Sequence, residues 1–60
     1  MRTTEIREGA MYFCTDQKFR TVRKLSDRKV DWIINESAVS GECGLGHFAA
    51  MCVREELDED

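Results

Sequence analysis

The residues able to do chemistry are concentrated in ECGLGHFAAMC, positions 42–52. Together with Cys14, the set Cys43, His47 and Cys52 holds the donor atoms of a Cys3His zinc site. Its spacing argues against one: the five-residue step from His47 to Cys52, taken along a helix, leaves their side-chain directions about 140° apart. A nucleophilic thiol is the second chemistry, with Cys43 ahead of a helix N-terminus and His47 as its base. It also needs a cleft and a third, orienting group, which a chain of 60 residues struggles to supply. Against it stands a cysteine packed beneath Leu45 and Phe48, since unpaired cysteine is among the most buried residue types. Gly44-Leu45-Gly46 lacks the third glycine of a dinucleotide loop, Ala49 standing in its place, and no second strand is expected after it. The reading therefore assigns no catalytic, cofactor-binding or metal-ligating residue and expects no cofactor and no enzyme.

Charge offers a different chemistry. Lys18, Arg20, Arg23, Lys24, Arg28 and Lys29 face only Asp27 as an acid within positions 18–29. With Phe19 or Trp32 to stack on a base, this basic hairpin could grip a nucleic-acid backbone. Arg20 and Lys24 alternate to the opposite side from Arg23, however, and exposed strands also carry Lys and Arg to keep edges from pairing. REELDED at positions 54–60 holds five of the 12 acids and one of the 9 bases, so a net charge of −3 conceals a slightly basic first 53 residues and an acidic tail.

The elements that must position these groups are short. Gly9 precedes the apolar run AMYFC, and Thr15 and Asp16 supply turn residues. FRTVRKL alternates large and charged groups around β-branched Thr21 and Val22 and predicts a strand. SDR at 26–28 predicts a three-residue turn, and KVDWIIN a partner strand with Val30, Trp32 and Ile34 on one face. A short last strand is expected around Ala38 to Cys43. After Gly44 the period becomes helical, with Leu45, Phe48, Met51 and Cys52 on one side, and the helix is expected to continue until it frays near Glu56 under the unfavourable pairing of acids with its C-terminal dipole.

The fold expected is α+β: a small antiparallel sheet with one C-terminal helix, for which an SH3-like barrel is the economical form. Residues 1–56 are read as one domain and 57–60 as an acidic, frayed tail. The expected core comprises Ile6, Met11, Phe13, Val22, Val30, Trp32, Ile34, Leu45, Phe48 and Cys52. With no leader-like segment and no apolar run near 18 residues, the protein is expected to be cytoplasmic, without a membrane partner.

The order Gly9, Tyr12, Arg20, Val22, Val30, Trp32 and then Cys43-x-Leu45-x-x-Phe48-Ala49 resembles a loose group of short phage and prophage proteins. The likeness spans about residues 6 to 52. It implies a small β-rich domain of unsettled function, with no catalytic residue to carry over. Met51-Cys52 and the acidic tail depart from that pattern, in which an aromatic residue stands near the middle of the helix. The expected function is a small non-enzymatic interaction module binding a host or phage protein through its sheet edge or hairpin surface. The alternative is a nucleic-acid binder that uses the hairpin of residues 18–29.

Overall fold

The computed structural model describes residues 1–56. The expected tail at 57–60 lies outside the described residues. The architecture is α+β, with five antiparallel strands in the order β4-β3-β2-β1-β5: β1 is Met11–Cys14, β2 Phe19–Ser26, β3 Lys29–Ile34, β4 Ser40–Gly44 and β5 Cys52–Glu56. A 3-10 turn, Thr3–Glu5, precedes the sheet, and one helix, α1 (Leu45–Met51), joins β4 to β5.

The turns follow from local chemistry. Ser26 pairs with Lys29, so Asp27 and Arg28 alone span the β2–β3 hairpin, both with positive φ (49° and 60°). Two left-handed residues are what a tight right-twisting hairpin requires, and glycine usually supplies the second. Arg28 occupies it here, and its carbonyl accepts the Leu45 amide at 2.7 Å, fixing the start of α1. Arg28→Gly keeps that carbonyl and removes the Cβ penalty, so it is expected to raise stability by about 0.5–1 kcal/mol in a denaturant melt. An unchanged or lowered midpoint would show that the side chain itself supports the turn.

Two irregularities bend the sheet. Register slips between Val22 and Lys24, leaving Arg23 as the extra residue of β2, and again between Phe13 and Cys14 against β5. A bulge raises local twist and bends its strand. In consequence Val22 and Leu25 both turn toward the core side across the Arg23 bulge, and strict alternation along β2 fails. Only the first part of β2, Phe19 to Thr21, pairs with β1, while β3 pairs along its full length.

The core cluster comprises Ile6, Tyr12, Cys14, Val22, Val30, Phe48, Ala49 and Cys52, with Leu25, Trp32, Cys43, Leu45 and Met51 packed against it. Tyr12 and Phe48 meet edge to face, ring centres 5.9 Å apart. The Tyr12 hydroxyl donates to the Glu5 carbonyl (2.9 Å) and accepts from the Arg7 amide (2.8 Å), which ties the N-terminal segment over the core. Gly41 pairs with Trp32, and a Cβ built there would lie 2.6 Å from the indole ring, so glycine is needed for the ring to lie across β4.

Two expectations are corrected. The helix stops at Met51, and residues expected to extend it form β5 instead. Seven residues bury Phe48 and Ala49, after which the Cys52 amide closes the last turn on Phe48 and Ala49 carbonyls. Continuing the helix would have set Glu55 and Glu56 against its negative end and left the outer edge of β1 unpaired. The second correction concerns β1, where Tyr12 and Cys14 are fully buried and the expected core residues Met11 and Phe13 lie on the opposite, half-exposed face.

Candidate functional site

The imidazole is set apart from the thiols by the elements that carry them, exposed where they are buried or half-buried. Cys43 sits on β4 opposite Val30, His47 is exposed on α1, and Cys52 is buried at the head of β5 opposite Cys14. Burial pushes the Cys43 thiol up from its ordinary range, the reverse of what a nucleophile requires. Burial, reinforced by the neighbouring Cys14 thiol, pushes Cys52 up to about 12. Among the described residues no three His, Cys, Asp or Glu side chains converge as a metal set would.

These thiols give a pH prediction. A thiol whose folded pKa lies above its unfolded value contributes stability that is fully present below the unfolded value, near 9 for Cys52, and lost as pH rises toward about 12. Burial raises Tyr12 as well, so the two act in the same direction. The thermal midpoint is therefore expected to fall progressively above about pH 9, and Cys52→Ala should flatten the fall. A midpoint constant across that window would contradict the burial of both groups.

The six basic residues do not form one surface. Arg20 lies on the inner face, 7% exposed, with its guanidinium 4.6 Å from the centre of the Trp32 ring. Nη1 and Nη2 donate to the two carboxylate oxygens of Asp16 at 3.1 and 3.0 Å. This bidentate pairing holds the Asp16 carboxyl below the usual range and raises Arg20. Arg20 Nε and Trp32 Nε1 are buried without a hydrogen-bond partner. A guanidinium stacked on indole and forked onto a carboxylate has a structural task, so Arg20 leaves the candidate binding set.

The others are exposed but scattered. Lys18 is beside the β1–β2 turn, and Arg28 and Lys29 are at the far end of β2, about 30 Å of extended chain away. Arg23 projects at the bulge. Lys24 pairs with Asp31, which pairs in turn with Glu42, and a shallow depression lined by Lys24, Lys29, Asp27, Asp31 and Glu42 mixes both signs of charge.

A different surface emerges on the outer face of β1, β2 and β3. Phe13 lies opposite Phe19, ring centres 5.0 Å apart, and the Arg54 guanidinium of β5 stands 4.6 Å from the Phe13 ring centre. The next row carries Met11, Thr21 and Ile33. All five of these β1–β3 residues are half-buried. Thr21 Oγ1 donates to Asn35 Oδ1 (2.8 Å), and Asn35 Nδ2 contacts the Met11 sulfur (3.1 Å). Met11, Thr21 and Asn35 also line one side of a pocket of about 460 Å³, whose other walls include Glu8, Glu55 and Glu56. Arg7 pairs with Glu55 and Arg54 with Glu56, fixing two of those carboxylates.

This face was not singled out from the sequence. The signal was present in MYFC, which is apolar at four consecutive positions. A strand with one wet face alternates. A strand apolar on both faces has a second surface to cover. Compared with known proteins, the chain matches no family model, no curated protein and no solved structure.

Proposed function

We propose that this chain is a small non-enzymatic interaction module of phage or prophage origin, acting in the cytoplasm, that binds a host or phage protein. The observation that carries the reading is the outer strip of Met11, Phe13, Phe19 and Ile33, contiguous through Met11 with a pocket bearing Glu8, Glu55 and Glu56. Contiguous apolar area rimmed by polar groups is characteristic of protein-binding surfaces, and aromatic residues dominate the anchors of such surfaces. The matching partner presents an apolar side chain to the Phe13–Phe19 pair and a Lys or Arg toward Glu8, since Arg7 and Arg54 already pair with Glu55 and Glu56. The strand order, with β5 paired to β1, the bulge in β2 and a helix between β4 and β5 support an SH3-like barrel as the finer description.

The competing reading, a nucleic-acid binder using Lys18, Arg23, Lys24, Arg28 and Lys29, draws on exposed cations alone. The acids interleaved with Lys24 and Lys29 weaken the phosphate field there. The test is a titration against labelled single- and double-stranded oligonucleotides at two salt concentrations, run beside capture of partners from nuclease-treated host extract. The proposal expects a captured protein that survives nuclease treatment and no oligonucleotide binding at low salt. Salt-sensitive micromolar binding abolished by Arg23→Glu with Lys24→Glu would instead establish the rival.

A further inference from the structure

Cys14 and Cys52 are direct partners across the β1–β5 ladder. The hydrogen bonds identify which kind of partners they are. The Thr15 amide donates to the Met51 carbonyl at 2.9 Å, one residue outside the pair on each strand. On that side of the pair the pattern is that of a non-hydrogen-bonded site, where facing Cα atoms of a regular ladder stand about 4.5 Å apart and side chains approach most closely, while the register slip between Phe13 and Cys14 lies on the other side. A disulfide accommodates Cα separations of roughly 4.4–6.8 Å. Both thiols point into the same core cluster, and both are free. Cys43, the third thiol, packs against the same cluster but lies on β4 opposite Val30, with no ladder register to either Cys14 or Cys52.

We infer that Cys14 and Cys52 form a reversible cross-strand disulfide when the chain meets an oxidising disulfide such as oxidised glutathione. Cys52 is the residue that reacts first because it heads an edge strand, β5, which among the described residues pairs only with β1, and at 5% exposure it is the less enclosed of the two, Cys14 being wholly buried. Its thiolate attacks glutathione disulfide, releasing one glutathione thiolate that takes up a proton. The Cys14 thiolate then attacks the Cys52 sulfur of the mixed disulfide and releases the second glutathione. Two protein thiols are oxidised and one small-molecule disulfide is reduced to two thiols. Burial of both sulfurs, with the Cys52 thiol pushed up, makes this slow in the closed fold and routes it through transient opening of β5. The bond would close β2, β3, β4 and α1 into one loop and fasten β5 to β1.

The test equilibrates the full chain through unfolding and refolding in a glutathione redox buffer, so that burial cannot block the reaction. Intact mass, peptide mapping and thermal melts are then read. Expected are a loss of two hydrogens, one remaining thiol that maps to Cys43, and a melting midpoint raised by about 15 °C or more that reverts with reductant. Cys43→Ser should behave identically with no thiol remaining. Three free thiols at equilibrium, a stable glutathione adduct, a bond that includes Cys43, or an oxidised form that melts no higher would each overturn the inference.

Discussion

Phe48→Ala is expected to leave the chain largely unfolded at 25 °C, with no cooperative thermal transition. The ring is fully buried, lies edge-on to Tyr12 and is the main contact of a seven-residue helix that is too short to be stable alone. Replacing a buried Phe by Ala costs about 3–5 kcal/mol, because the transfer energy and the cavity both count. Sixty residues carry roughly 3–9 kcal/mol in total. The loss also propagates: α1 sets the position of β5, and β5 covers the edge of β1. Circular dichroism melts should show the transition abolished, whereas Phe48→Leu should retain a lowered one. A Phe48→Ala variant that melts cooperatively near the parent midpoint would mean that α1 is not locked onto the core through this ring.

Trp32→Ala is the second large effect, expected at about 3 kcal/mol, toward the lower end of its class because the ring is only partly buried. Three groups depend on the indole. Arg20 stacks against it, Gly41 lacks a side chain so that it can lie across β4, and Val22 is its direct partner on β2. Truncation leaves the Arg20 guanidinium nearly buried with only Asp16 to compensate its charge. Arg20→Met in the Trp32→Ala background should therefore recover part of the loss, since exchanging a buried ion for an apolar chain of similar reach is often neutral or better. If the double variant is less stable than Trp32→Ala, the stack does not carry the role described.

Legibility in the sequence divided along physical lines. The face of β3 was readable because Val30, Trp32 and Ile34 alternate with Asp31, and the N-terminus of α1 because the period changes at Gly44. Three features were not readable. The side of β1 was ambiguous because Met11 to Cys14 are apolar throughout, and a one-residue choice exchanges the two faces. The bulge at Arg23 has no glycine to announce it. Strand β5 was concealed because Cys52 continues the helical stripe of Leu45 and Phe48, and its pairing with β1 is a long-range contact that no local window contains. The candidate site moved for related reasons. Arg20 belongs to the core, which only its placement across from Ile34 reveals, and the Phe13–Phe19 strip depends on the register of two strands.

The proposed function locates binding on the outer face, so surface variants on that face and on the hairpin should separate. The most direct measurement compares partner retention by the parent chain, by Phe13→Ser with Phe19→Ser, and by Arg23→Glu with Lys24→Glu, each first shown by its melt to be folded. The account predicts that the aromatic pair variant loses the retained protein at least tenfold while the charge variant keeps it. Undiminished retention by a folded Phe13→Ser, Phe19→Ser chain, with loss confined to the charge variant, would contradict it.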